Sequence, residues 1–453
     1  MAYSVNQSST GLRGSYDDLV YVVTDTAYAD PKYRYACAVI VDSAIQIILK
    51  QLPNNANAAV FDIQSIAAQF VKPDENPYQL GNSASDLLST NTGAYKTVTV
   101  RFGYSSAIDA DSAPTTTLDP LTDQLVKLVS GNFVRATDTV IESSPAADYI
   151  PDDASALFLS DAVLVGGVYQ NYVVYETGEI SWAALAFINS SDSSATYIRI
   201  QYFDNATLQS STEIENSVAN GGAPPSGVST DTERLLYLGV GTGNLEGYTG
   251  QSSPANPANG GWTHYDITLL DGTGGNAVSA TYRFNRLDCN RFQQAGEFYT
   301  VHWWNSKGGV DQLVFAGQSI LKQSMDRNDF RQIGGNSFNA DGLSATGGTD
   351  YVKYPYEGGK TQASIRTTTT LSLNTVMGTP AILSPLMMSL MNSERVYITP
   401  TRGYGLNNQE STATEPPVRG IITAGSFMQK TGVNDKVVSY SVEVEVARLR
   451  PSK

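Results

Sequence analysis

The residues best equipped for chemistry are few: two histidines, His264 and His302, and two cysteines, Cys37 and Cys289. A closed zinc site takes four Cys or His ligands in a tetrahedron, so all four of these distant residues would have to converge. No His-Glu-x-x-His pair supports metalloprotease chemistry, and no Gly-x-Ser-x-Gly elbow supports a Ser-His-Asp hydrolase. His302, beside Trp303, reads as a cross-strand packing residue rather than a base. The two cysteines are too few for a disulfide framework and read as buried thiols. Glu357-Gly358-Gly359-Lys360-Thr361 imitates the end of a phosphate loop, but Tyr354 stands where that motif needs its first glycine. Gly239-Val240-Gly241-Thr242-Gly243 likewise has Asn244 in place of its third glycine, so both stretches read as turns. Asp109 with Asp111, and Asp152 with Asp153, offer hard oxygens of the kind Ca²⁺ takes. Neither pair fits an Asp-x-Asp-x-Asp-Gly loop, and both read as solvated acids. A glycosidase needs two carboxylates at a set separation, and nothing marks such a pair among 44 acids. The reading is therefore of no enzyme, no metal and no cofactor.

Composition points toward architecture. At 453 residues the chain can hold roughly two to four domains. Charged residues are 16% of it, below the roughly 25% usual in soluble domains. Tyr outnumbers Phe 26 to 14, which supplies aromatic area with a hydroxyl suited to a wet boundary. A net charge of −15 argues against strong nucleic-acid binding, which rests on neutralising phosphates. Met1–Gln7 lacks the basic and apolar regions of a signal peptide, so the chain is expected to be made in the cytoplasm. No apolar run of 18 residues predicts a membrane span.

The stretch Glu297–Phe315 organises the last block. Phe298–Trp304 and Val310–Phe315 flank Asn305-Ser306-Lys307-Gly308-Gly309, a loop with Asn and paired Gly that predicts a hairpin. Before it, residues 1–18 are polar, with Gly11 and Gly14, and read as a flexible arm or a strand awaiting a partner. Residues 19–153 read as a β-rich domain with strands Leu19–Val23, Tyr33–Val41, Lys96–Tyr104, and weaker ones near Leu125–Val129 and Phe133–Ile141. In it, Ala44–Leu49 continues the apolar run, and Asp62 caps a helix over 63–71 whose Ile63, Ile66, Ala67, Phe70 and Val71 share a face. Residues 154–288 predict an immunoglobulin-like sandwich with strands Tyr172–Tyr175, Ile180–Ile188, Thr196–Phe203, Thr207–Ile214, Arg234–Val240, Thr263–Leu270 and Val278–Phe284. Residues 289–453 predict a C-terminal β domain with strands Ile320–Met325, Ile365–Leu373, Val396–Ile398, Val418–Met428 and Val437–Val446. Its short helix near 382–391 is expected to open at Ser384 as N-cap and Pro385 at N1. The fold class is mainly β: two or three sandwich or barrel modules in series with a few short helices.

Several of these motifs resemble a family of structural tail and neck proteins in tailed phages of Bacteroidota-type and related marine hosts. The features are Cys289 before an aromatic strand ending in Trp304-Asn305-x-x-Gly308-Gly309-x-Asp311, a Thr-rich strand leading into a short helix, Ser393-x-x-Val396-Tyr397-Ile398, and Lys430-Thr431 with Asn434-Asp435-Lys436 before Tyr440–Val446. The opening Val-Tyr-Val-Val, the Tyr33-Arg34-Tyr35 strand and Val60-Phe61-Asp62-Ile63 are also similar to that family. The likeness is weakest over 105–160 and 205–260, and Met387, Met388 and Met391 stand where members usually carry charge.

The resemblance implies a virion component of the tail or neck, one subunit of a homo-oligomeric ring that contacts other tail or neck proteins. It also implies structural or assembly roles for Asn305, Gly308, Gly309, Tyr397, Asn434 and Asp435. Trp303, Trp304, Phe315 and Tyr440 are expected to hold the core, and the Met cluster to pack within it. Contacts are expected on the Gly241–Gly261 and Gly334–Gly348 loops, with strand addition as the joining mode. A second reading is a receptor- or carbohydrate-binding tail protein that stacks Tyr and Trp on a host-surface glycan. A third is a polysaccharide-degrading enzyme, for which no acid can be nominated.

Overall fold

The computed structural model describes residues 4–9, 11–26, 32–73, 88–90, 93–107, 111–131, 158–174, 183–189, 195–216, 234–246, 261–287, 298–332, 359–375, 378–402, 417–423 and 438–446. Among them the protein is mainly β, with several sandwich modules and a few short helices.

The first module pairs two sheets. Ser4–Gln7, Val20–Thr24 and Ala58–Asp62 form the smaller one. The larger runs Gly11–Gly14, Gln124–Val129, Tyr95–Ser106, Arg34–Val41 and Ala44–Gln51, with Thr115–Leu118 paired to the Gly103–Ser106 end. Alternation in Tyr95–Ser106 turns Val98, Val100 and Phe102 inward, and register sets Cys37 opposite Phe102 and Val39 opposite Val100. Tyr21 and Phe61 of the smaller sheet close over them. Burying each such side chain stabilises by roughly 1.5–3 kcal/mol. Burial also pushes the Cys37 thiol up to about 12, so it stays protonated and inert. The helix here is shorter than expected. It covers Gln64–Ala67, yet the Asp62 carboxylate does accept from the Gln64 N–H (3.0 Å), and Ile63, Ala67 and Val71 are buried.

The remaining sheets share one core. A six-stranded sheet runs Leu164–Val165, Val168–Val174, Thr281–Leu287, His264–Leu270, Tyr197–Asp204 and Thr207–Glu215, with Val168–Val174 parallel to Thr281–Leu287. A small sheet joins Ala184–Asn189, Arg234–Gly239 and Leu88–Thr90. A seven-stranded sheet runs Val310–Phe315, Phe298–Trp304, Val396–Arg402, Val418–Ile422, Ser441–Val446, Gly359–Asn374 and Ile320–Gln332. Buried side chains from Phe158 to Val444 form a single cluster among these sheets.

The helix Pro380–Asn392 packs Leu383, Leu386, Met387 and Leu390 into that cluster. It starts ahead of the expected Ser384-Pro385 step, with Thr379 as N-cap and Pro380 at N1. Ser384 is buried inside it, sharing a 2.6 Å hydrogen bond with the Tyr440 hydroxyl, and Pro385 lies in its interior. A second Pro with the right φ upstream was the better start, and core contacts of Ile382 and Leu383 carry the helix through Pro385 despite its missing N–H. Of the methionines, Met387 is buried, Met391 packs on the core edge and Met388 is exposed. No helix among the described residues is long and apolar enough to cross a membrane.

Candidate functional site

The tryptophan hairpin has the expected bounds, Phe298–Trp304 and Val310–Phe315, with Trp304 opposite Val310. Its loop closes through Asn305 N–H to Gly309 O (3.0 Å) and Gly308 N–H to Asn305 O (3.2 Å). Gly308 has φ +81°, and a Cβ there would run into the Ser130 carbonyl; at Gly309 it would meet the Leu159 carbonyl. The two glycines thus let a second and a third segment lie directly against the loop. Gly308→Ala is expected to cost roughly 1–3 kcal/mol from overpacking and backbone strain, read as a lower urea midpoint with an unchanged slope.

Asn305 is the hub of the loop. Its amide donates to Leu159 O (2.8 Å) and Asp311 Oδ2 (3.0 Å), while its Oδ1 accepts from the N–H groups of Lys307 (3.1 Å) and Gly309 (2.9 Å). Asp311 sits cross-strand from Trp303 and is fully buried. It accepts from Ser160 Oγ (2.5 Å) and from the Asp161 N–H (2.8 Å). Burial pushes its carboxyl up to about 6, the nearby Asp161 adds to the rise, and the donated hydrogen bonds oppose it. Asp161 in turn accepts from Ser306 N–H (2.9 Å), Ser306 Oγ (2.7 Å) and Ser389 Oγ (2.6 Å). Ser389 receives the Trp303 indole N–H at 2.8 Å, and Lys307 Nζ donates to Ser160 O at 2.6 Å. Asp311 is enclosed by fixed donors, whereas Asp161 is only half-buried. They act as a clamp joining the 158–162 segment, the hairpin and the helix.

Beside the clamp opens a cleft of about 840 Å³, bounded by the end of the short N-terminal helix, the hairpin loop and the last turns of the Pro380–Asn392 helix. Asp161 and Trp304 lie in its wall, with Lys72, Glu394 and Arg395 around it. Arg395 is tied to Pro73 O (2.9 Å).

Of the residues singled out by sequence, the hairpin brings together Trp303, Asn305, Gly308 and Gly309 at the clamp. Phe315 lies deeper in the same core. Trp304 points the other way, edge-on to Tyr237 (5.8 Å between centroids), in a second cluster that includes Tyr397. Tyr440 is buried against the helix through Ser384. Asn434, Asp435, Cys289, Asp109, Asp152, Asp153 and Tyr354 lie outside the described residues, as do the 334–348 loop and most of 241–261. Ser160, Asp161 and Ser389 were not anticipated; only their distance from the hairpin in sequence hid them. His302 is fully buried, and burial drives its imidazole down to about 3, so it stays neutral at pH 7. His264 stacks on Phe203 in a different sheet. Among the described residues no three His, Cys, Asp or Glu side chains come together as a metal site requires.

The most exposed elements are strands. Every side chain from Ile320 to Arg331 is exposed, including Met325 (55%) and Phe330 (49%). Ala44–Gln51, at the edge of the first module, is exposed along nearly its whole length, including Ile45, Ile47 and Ile48. An apolar run of this kind reads as a core strand, and the structure puts it at the rim. No protein-family model matches the chain, and no curated protein matches it.

Proposed function

We propose that this chain is a structural subunit of a tailed-phage virion, in the tail or neck, that works by joining copies of itself and adjoining proteins. The observation that carries the reading is the ribbon Ile320–Gln332 with Gly359–Asn374. Ser441–Val446 reaches only the Thr370–Asn374 end of Gly359–Asn374, so among the described residues the ribbon is two-stranded from Gln323 outward, with the side chains of 320–331 exposed on both faces. Such a ribbon is marginal alone in water. One bearing exposed Met and Phe gains from a partner what the rest of its own sheet does not supply.

The test is the mass of the purified chain by mass photometry over a range of concentrations. A closed multiple of the 453-residue chain is the expected result. A chain that stays monomeric throughout sinks self-assembly. A stable trimer would redirect the reading to a fibre or receptor-binding protein, with glycan binding as the next measurement.

A further inference from the structure

Beyond assembly, we propose that the hairpin turn at 163–167 is a lipid-contacting tip that enters the apolar boundary of a bilayer with zwitterionic headgroups. The short strand Leu164–Val165 pairs with Val168–Val174, Leu164 opposite Tyr169 and Val165 opposite Val168. Gly166 (φ +61°) and Gly167 (φ +82°) form the two-residue turn between them, both in the left-handed region that such a hairpin uses. A Cβ on either glycine would meet nothing within 4 Å among the described residues, so the turn stands clear of the body. Val163, Leu164 and Val165 are 44%, 47% and 39% exposed, and successive residues face opposite ways, so both sides of the tip are apolar. Single apolar residues scattered over a surface are ordinary; three in a row on a projecting turn are a patch.

The stem of the tip is fixed. Ser160 Oγ and the Asp161 N–H both donate to Asp311, and the Ala162 N–H donates to Ser160 Oγ (3.1 Å). On the other side Val168–Val174 lies parallel to Thr281–Leu287 within the six-stranded sheet. A tip held in one conformation loses little freedom on binding.

Residue chemistry selects lipid over a protein pocket. Hot spots between proteins are rich in Trp, Tyr and Arg, and poor in Leu and Val. Hydrocarbon takes aliphatic side chains without asking for hydrogen bonds. No charged residue occurs from 162 to 175, and Thr281 is the neighbour of Val168 on the adjoining strand, so no ion is desolvated as the tip enters. Two other turns of the same sheet, Asp204-Asn205-Ala206-Thr207 and Asp271-Gly272-Thr273-Gly274-Gly275-Asn276, are polar and have no such use. The net charge of −15 sets the headgroup, since an acidic chain is repelled by anionic lipid.

The experiment mixes the full chain with phosphatidylcholine vesicles and reads bound protein by flotation over a range of lipid concentrations. The wild type should partition onto the vesicles, and added salt should not weaken it. Leu164→Asp/Val165→Asp should partition more weakly by about tenfold or more. Both side chains are exposed, so its circular dichroism and thermal midpoint are expected to match the wild type and are checked first. Leu164→Trp should add fluorescence that shifts to the blue when vesicles are present. A wild type that never partitions, an Asp variant that partitions equally, an unshifted Leu164→Trp signal, or binding that salt abolishes overturns the proposal. None of these outcomes alters the mass of the chain free of lipid, so the assembly reading stands or falls separately.

Discussion

Asp311→Ala should destabilise the protein by roughly 3–5 kcal/mol, because it takes the acceptor from three buried donors at once. Three donors converge on that carboxylate, from Ser160, the Asp161 main chain and Asn305, and all three would be left in a site that water does not reach. Each unsatisfied donor costs about 1–3 kcal/mol. Asp311→Asn separates shape from charge. It keeps the volume but turns an NH₂ toward the Asp161 and Asn305 donors, or else toward Ser160, so a loss smaller than that of Ala is expected.

The same group gives a pH signature. Its folded-state carboxyl titrates near 6, above the ordinary value of 3.8, because burial disfavours the charge. The folded chain therefore holds the proton more tightly than the unfolded one. The contribution is fully present below about pH 4 and lost as pH rises through about 6. Its size is about 3 kcal/mol, since each tenfold gain in proton affinity is worth about 1.4 kcal/mol. Urea midpoints of wild type and Asp311→Asn, measured from acid to neutral pH, should diverge through that window and run parallel above it. Parallel profiles throughout would mean that Asp311 titrates normally and that the clamp is wetter than its geometry indicates.

What could be read from sequence followed the range of the interactions. The hairpin bounds came out as expected because Asn305, Gly308 and Gly309 encode a tight loop within five residues, and the flanking β-branched and aromatic runs fix the rest. The interior strand Tyr95–Ser106 was legible from its alternation. The helix start was not, since Ser384-Pro385 carries the local signature of a cap while Ile382 and Leu383 are needed by the core, a contact with residues far along the chain. Ala44–Gln51 shows the same limit from the other side: an apolar run says that something wants covering, and not whether the chain itself supplies the cover. Asp311 stands within the hairpin motif, yet its partners Ser160 and Asp161 lie about 150 residues away with no local mark. Clamps of this kind are built from ordinary residues by topology.

The second large effect is expected at Trp303. Among the described residues it is the largest fully buried side chain, packed in the core shared by the hairpin and the Pro380–Asn392 helix. Trp303→Ala should cost roughly 3–5 kcal/mol from lost burial and the cavity left behind. Trp303→Phe isolates the polar part: it keeps most of the ring area and removes the N–H that holds Ser389 Oγ at 2.8 Å. About 1 kcal/mol is the expected loss for that bond. Ser389 donates its own proton to Asp161, whose main-chain N–H holds Asp311, so the indole and the buried carboxylate are linked through one chain of hydrogen bonds. They are also cross-strand neighbours. The losses from Trp303→Phe and Asp311→Asn should therefore not add, and a double-mutant cycle should return a coupling of about 0.5–3 kcal/mol. Strict additivity would show that the tryptophan acts by packing alone, and that the helix is held to the hairpin by apolar contact rather than through Ser389 and Asp161.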